Sequence, residues 1–278
     1  MMNDFNETKD RFDEFLTKVA NEFDCEPVLA ESMRYSLFPG GKRIRPVLLV
    51  KAAETFGKAA DESVFNFAAA IECLHVYSLV HDDLPCMDND DFRRGVPTSH
   101  KKFGEDTAVL TGDALLSESF RLVLKSIETG GFSKAHYAAA KLFADKTGAS
   151  GLISGQMRDL DFAEKGGDEA ALTSVYRGKT CALIETAVGA GALMGGADDN
   201  AAENMLGFAE AFGIAFQIAD DLLDDDGEKC SIVTVCGRDI AEKRLEEYTE
   251  KAINCLDNVD ADTTFFRDFA LIAKNRKR

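Results

Sequence analysis

The chain has 278 residues, 45% of them hydrophobic, and sets 49 Asp and Glu against 32 Lys and Arg for a formal net charge of −17. That length can bury a sizeable core, and the acidic balance excludes a general nucleic-acid or anionic-membrane surface, since such partners need clustered cations to displace counterions. No apolar run is expected to reach a bilayer span, the first residues lack the pattern of a signal peptide, and seven cysteines without CxxC spacing exclude a disulfide framework or zinc site, so a cytoplasmic chain with reduced, mostly buried cysteines is expected.

In chain order, helical periodicity covers residues 4–23, 27–37 and 43–56, and the cation-rich Gly40-Gly41-Lys42-Arg43-Ile44-Arg45-Pro46 leads into the third. The stretch 61–84 is apolar nearly all round, which predicts a helix buried at the centre of a bundle. It carries His75 and Tyr77 and runs into Asp82-Asp83. Pro85 breaks it near its end, which lets Asp88 turn back toward Asp82. Helices over 105–128 and 133–147 follow, then 169–195 with Lys179-Thr180, then 199–224 and 239–256. The segment 231–235 has strand composition and is the least secure of the helical segments. With five prolines, no low-complexity linker and no internal repeat, the chain predicts an all-α fold in a single domain over residues 1–278.

Two aspartate clusters stand out: Asp82-Asp83-x4-Asp88, and Asp220-Asp221-x2-Asp224 about half a chain later, each ending an apolar helical stretch. Asp220 and Asp224 are four apart and share a helix face, where like charges repel unless a cation lies between them. Arg93 and Arg94 follow the first cluster, and arginine forks match phosphate oxygens bidentately. Magnesium is usually held by one or two carboxylates plus substrate phosphates, so this pattern points to Mg²⁺-bridged diphosphate chemistry, with the clusters facing each other across one bundle mouth. Taken singly, each signal has a plainer reading. A lone DDxxD in so acidic a chain is most often a solvated helix end, His75 alone is a hydrogen-bonded core histidine, and Lys179 alone is a solvated lysine. No Ser-His-Asp set, P-loop or GxGxxG fingerprint supports acyl transfer or dinucleotide chemistry.

Taken in order, the blocks GGKRIRP, ECLHVYSLVHDDLPCMDNDDFRRGVPTSHKKFGEDTAVLTGDALL, SGQMRDLD, GKT and FQIADDLLD resemble the short-chain trans-isoprenyl diphosphate synthases, and among these bacterial farnesyl diphosphate synthases. The resemblance implies an all-α isoprenoid-synthase bundle around a central apolar cavity, a homodimer, and Mg²⁺-dependent head-to-tail condensation of isopentenyl diphosphate with dimethylallyl or geranyl diphosphate, with Mn²⁺ as the alternative ion. It assigns Asp82, Asp83, Asp88, Asp220, Asp221 and Asp224 to the metal on the allylic diphosphate, and Arg93, Lys179, Thr180 and Gln217 to the same group. Lys42, Arg45, His75 and Arg94 match the positions that hold isopentenyl diphosphate without metal. Tyr77, five residues before Asp82, lies roughly 7–8 Å below it along the helix. There its ring would stop a growing chain at C15. The longer family loop with a GKxxGxD pattern is absent after Asp224, leaving Asp225-Asp226-Gly227-Glu228 before Lys229 and the loop lysine unmatched. Lys229 matches a later family lysine or replaces the lost one in part, and the basic tail Lys274-Asn275-Arg276-Lys277-Arg278 is a second candidate to compensate. The alternatives are a geranylgeranyl diphosphate synthase, which LPCMDNDDxRRG also resembles, a weakly active or regulatory prenyl-diphosphate-binding subunit, and a plain acidic interaction protein.

Overall fold

The structure, a computed structural model, describes residues 1–223 and 231–276. In chain order its helices are α1 (Met2–Asn21), α2 (Pro27–Leu37), α3 (Ile44–Thr55), α4 (Glu62–Asp82), α5 (Ser99–Phe103), α6 (Glu105–Thr129), α7 (Lys134–Thr147), α8 (Ser154–Lys165), α9 (Glu169–Tyr176), α10 (Ala182–Gly195), α11 (Asp199–Leu223), α12 (Ile232–Cys236), α13 (Arg238–Leu256) and α14 (Thr264–Lys274). The all-α expectation is borne out. The described strands are two residues each, β1 (Phe92–Arg93) and β2 (Val96–Pro97), paired antiparallel as Phe92↔Pro97 and Arg93↔Val96.

The chain sorts into two compact units. One comprises Met2–Val50 and Ala60–Ser133, the other Lys51–Ala59 and Lys134–Arg278 together with Met1. In the first, α4 packs along α6, and α1 contributes a face of Phe5, Phe12, Leu16 and Val19 at helical spacing. Asp61 starts α4 by accepting a hydrogen bond from the Val64 amide at 3.1 Å. In the second unit, α11 packs against α10 and α13, and Phe208 stacks on Phe212 at 5.6 Å and meets Phe266 edge-to-face at 5.4 Å. Gly196 ends α10 in the left-handed conformation that a helix C-cap favours.

Several expectations need correction. Helices α8 and α14 were not expected. The first buries only Gly155 and Phe162 and so carries almost no apolar stripe, while the second is a short amphipathic helix near the chain end. The helix expected over 169–195 is broken by a π-helical turn, Arg177–Cys181, and a second such turn, Ala149–Ile153, kinks at Gly151. The least secure helical segment does hold: residues 232–236 are helical despite their strand composition, with Ser231 capping them by accepting from the Thr234 amide. Contrary to expectation, α4 is long and apolar enough by length and composition to cross a membrane. It is nonetheless a core helix, with 78% of the relevant window buried. Cysteines are also less buried than expected: of the described ones, all free, Cys73 and Cys181 are buried whereas Cys25 and Cys86 are exposed.

Candidate active site

The first aspartate cluster closes α4. The helix stops at Asp82, as Pro85 requires, and the chain folds back so that the Asp88 amide donates to the Asp82 carbonyl at 2.9 Å. Asp82 and Asp83 are buried while Asp88 is exposed. Arg93 on β1 reaches Asp83 Oδ1 at 2.6 Å and Asp90 Oδ2 at 3.2 Å. Burial lifts the Asp83 carboxyl above its usual range, and the Arg93 guanidinium pulls it back only in part.

The hairpin turn is Arg94-Gly95, and both residues have positive φ, 54° and 80°, the geometry of a type I′ turn. The Arg94 guanidinium donates to the Gly40 carbonyl and lies over Gly41, where a Cβ would sit 2.6 Å from Arg94 Nη1. Gly41 is therefore space for Arg94, whereas Gly40, with φ 91°, supplies a left-handed backbone. Its neighbours divide sharply. Lys42 is exposed, with no ion pair among the described residues, whereas Arg43 is buried between Asp13 at 2.9 Å, Glu72 at 2.5 Å and the Leu37 carbonyl at 2.8 Å. Arg45 Nη1 lies 3.4 Å from His75 Nε2. Burial, then Arg45 and Arg94, hold His75 well below its usual pKa, so it is a neutral acceptor. Tyr77, half-buried, meets the His81 ring edge-on at 5.2 Å, and His81 Nε2 bonds to the Val109 carbonyl at 3.1 Å, with Gly112 leaving space for the ring.

The second cluster belongs to the other unit. Gly155 on α8 crosses Gly178 in the π turn so closely that a Cβ on Gly155 would lie 2.5 Å from the Lys179 amide nitrogen. This crossing brings Lys179 Nζ to Asp159 Oδ2 at 2.6 Å. Thr180 Oγ1 donates to Gln217 Oε1 at 3.0 Å, and Gln217 Nε2 donates to Asp221 Oδ1 at 3.1 Å. Asp221 Oδ2 accepts from the Tyr176 hydroxyl and from the Ile232 amide at 2.8 Å. Burial raises the Asp221 carboxyl despite these three donors. Asp220 Oδ1 is met at 2.6 Å by Arg276, whose guanidinium also donates to the Phe216 carbonyl at 2.8 Å and covers the Phe216 ring at 4.1 Å.

The structure thus groups Arg45, His75, Tyr77, Asp82, Asp83, Asp88, Arg93 and Arg94 on and beside the end of α4. It groups Lys179, Thr180, Gln217, Asp220 and Asp221 on the π turn and α11. Asp224 and Lys229 lie outside the described residues. Asp159, Tyr176 and the buried Arg43 were not singled out from sequence. SGQMRDLD contains Asp159, and only the crossing at Gly155 gives it a partner. Among the described residues no three His, Cys, Asp or Glu side chains group closely enough to hold a metal unaided.

Comparison with known proteins identifies the family. A family model described as polyprenyl synthetase matches residues 26–265. A farnesyl diphosphate synthase of Geobacillus stearothermophilus is 37% identical, the match covering 92% of this chain and 91% of that protein. The large subunit 1 of the heterodimeric, chloroplastic geranylgeranyl pyrophosphate synthase of Arabidopsis thaliana is 41% identical over 79% of this chain, which spans 60% of that protein's length. The structure of an FPP/GFPP synthase from Zymomonas mobilis superimposes with a TM-score of 0.88 at 33% identity, covering 98% of this chain and 100% of that one. With the ordered motifs, their placement on α4 and α11, and these matches in hand, the chain belongs to the polyprenyl synthetase family.

Proposed function

We propose that the protein condenses isopentenyl diphosphate head to tail with dimethylallyl and then geranyl diphosphate, releasing diphosphate and giving the C15 product farnesyl diphosphate. The observation that carries this reading is the return of Asp88 onto Asp82 beside the Asp83–Arg93 pair. It brings the Asp88 backbone back to the end of α4, beside a carboxylate–guanidinium pair of the kind that suits a metal-bound diphosphate.

The donor set fits Mg²⁺, or Mn²⁺ in its place. It consists of carboxylate oxygens, and Arg276 already sets a positive charge on Asp220. Asp82, Asp83, Asp88, Asp220 and Asp221, with Asp224, are the proposed ligands. When bound, the ion supplies charge neutralisation for the departing diphosphate. Arg93, Lys179, Thr180 and Gln217 bind and orient that leaving group. Lys42, Arg45, His75 and Arg94 hold isopentenyl diphosphate, and the neutral imidazole of His75 takes the Arg45 donor and so aims the guanidinium. Buried aliphatic side chains of α4 help exclude water while the allylic C–O bond ionises, the isopentenyl double bond attacks the resulting cation to form the new C–C bond, and the condensed cation loses a proton to the released diphosphate. We further propose a single synthase domain over residues 1–278, a homodimer, and a cytoplasmic setting in keeping with the free cysteines.

Tyr77, braced edge-on by His81, is the proposed floor for the product. Purified protein incubated with isopentenyl and geranyl diphosphates should give a Mg²⁺-dependent C15 product, and Tyr77→Ala should lengthen it. A C20 product from the parent would retain the synthase and discard the floor, in favour of the geranylgeranyl class. Binding without turnover would favour a regulatory subunit.

A further inference from the structure

Asp221 is heavily engaged. A carboxylate offers roughly four lone-pair positions. Both on Oδ2 are taken, by the Tyr176 hydroxyl and the Ile232 amide, and one on Oδ1 is taken by Gln217. One position on Oδ1 is left. The Ile232 amide also reaches the Tyr176 oxygen at 3.2 Å, which requires that hydroxyl to accept from Ile232 and give its own proton to Asp221. All three residues are buried, at 5%, 4% and 2% exposure for Tyr176, Asp221 and Ile232. Hydrogen bonds to a charged acceptor in such a setting are strong and directional.

Tyr176 is the last residue of α9, next to the π turn that carries Lys179 and Thr180. Ile232 is the first residue of α12, where the described chain resumes after the second aspartate cluster. The phenol therefore ties three segments to one carboxylate oxygen.

We propose that Tyr176 is a positioning residue: with the Ile232 amide it locks the Asp221 carboxylate so that its one remaining Oδ1 lone pair is presented to the divalent cation on the allylic diphosphate. This rests on the synthase reading above and adds a residue that the motifs do not contain.

Tyr176→Phe removes the hydroxyl and keeps the ring. Calorimetric titration of Mg²⁺ into the full chain, saturated with an unreactive allylic thiolodiphosphate, reads cation affinity without turnover. The expected result is an affinity weakened about tenfold, the scale of one charge-assisted hydrogen bond. The half-saturating Mg²⁺ for condensation should rise in step, while kcat at saturating Mg²⁺ falls far less. In an Asp221→Asn background the added Tyr176→Phe change should have no further effect on Mg²⁺ affinity, because its influence runs through that carboxylate. A variant with lowered thermal stability but parental Mg²⁺ affinity overturns the proposal and leaves Tyr176 a core strut. Should Tyr176→Phe not fold, Ile232→Pro removes the other donor to Oδ2 at a first helical position, where proline is tolerated. The same weakening is then expected, and parental affinity overturns the idea. A parent protein that takes up no Mg²⁺ with the analogue sinks the synthase reading and this one together, whereas a parent that binds and condenses beside an unaffected Tyr176→Phe sinks this one alone.

Discussion

Adjacent cations can have unrelated roles, and Lys42 and Arg43 show how burial decides. Arg43 is buried and holds Asp13, Glu72 and the Leu37 carbonyl, so Arg43→Ala strands two carboxylates and should cost about 3–5 kcal/mol in urea unfolding. Lys42 is exposed, so Lys42→Ala should leave the free energy of urea unfolding within about 0.5 kcal/mol of the parent and instead raise KM for isopentenyl diphosphate. His75 gives a pH prediction. Its folded pKa lies well below its ordinary value, so at mildly acidic pH the unfolded chain binds more protons than the folded one. Its contribution is therefore absent above about pH 6.5 and becomes destabilising as the pH falls below that value. His75→Asn, which keeps an acceptor for Arg45, should flatten the decline in Tm between about pH 6.5 and 5, and an unchanged slope would rule the imidazole out as its source.

At the scale of elements, the glycine crossing of α8 with the π turn sets the position of Lys179. Gly155→Ala drives a methyl group into backbone, so it should cost about 1–3 kcal/mol and weaken allylic diphosphate binding, because Lys179 is displaced from Asp159. Retention of both stability and allylic KM would contradict the crossing. This is also where sequence reading reached its limit. The break at Pro85 and the return of Asp88 were legible, since proline removes a helix donor at a known place. The π turn at Arg177–Cys181 was not, because one extra residue per turn leaves the apolar pattern on either side intact. Helix α8 escaped for the opposite reason: it buries too few apolar side chains to show a period. Tyr176 carried no signal in the sequence, because the carboxylate its hydroxyl reaches, Asp221, lies 45 positions away.

At the scale of the molecule, the long central helix was legible because it is apolar all round, and the same property gives it the length and composition of a membrane span. The proposed homodimer has a surface to test. On α6, Leu110 and Leu124, both exposed, lie fourteen residues apart on one face with Phe120 beside them. Leu124→Glu should convert a dimer to monomer in sedimentation velocity, and a dimer that survives the change would place the interface elsewhere.

Arg94 combines a guanidinium with a left-handed backbone, and these two demands have no common best residue. Glycine, asparagine and aspartate relax the turn but carry no positive charge, and lysine keeps the charge while losing the planar fork and leaving the turn just as strained. With Arg94 in its proposed role of holding isopentenyl diphosphate, selection for a more stable hairpin and selection for tighter substrate pull this position in opposite directions. Libraries screened on thermal resistance alone will discard the arginine, and libraries screened on turnover will keep it at the expense of the turn.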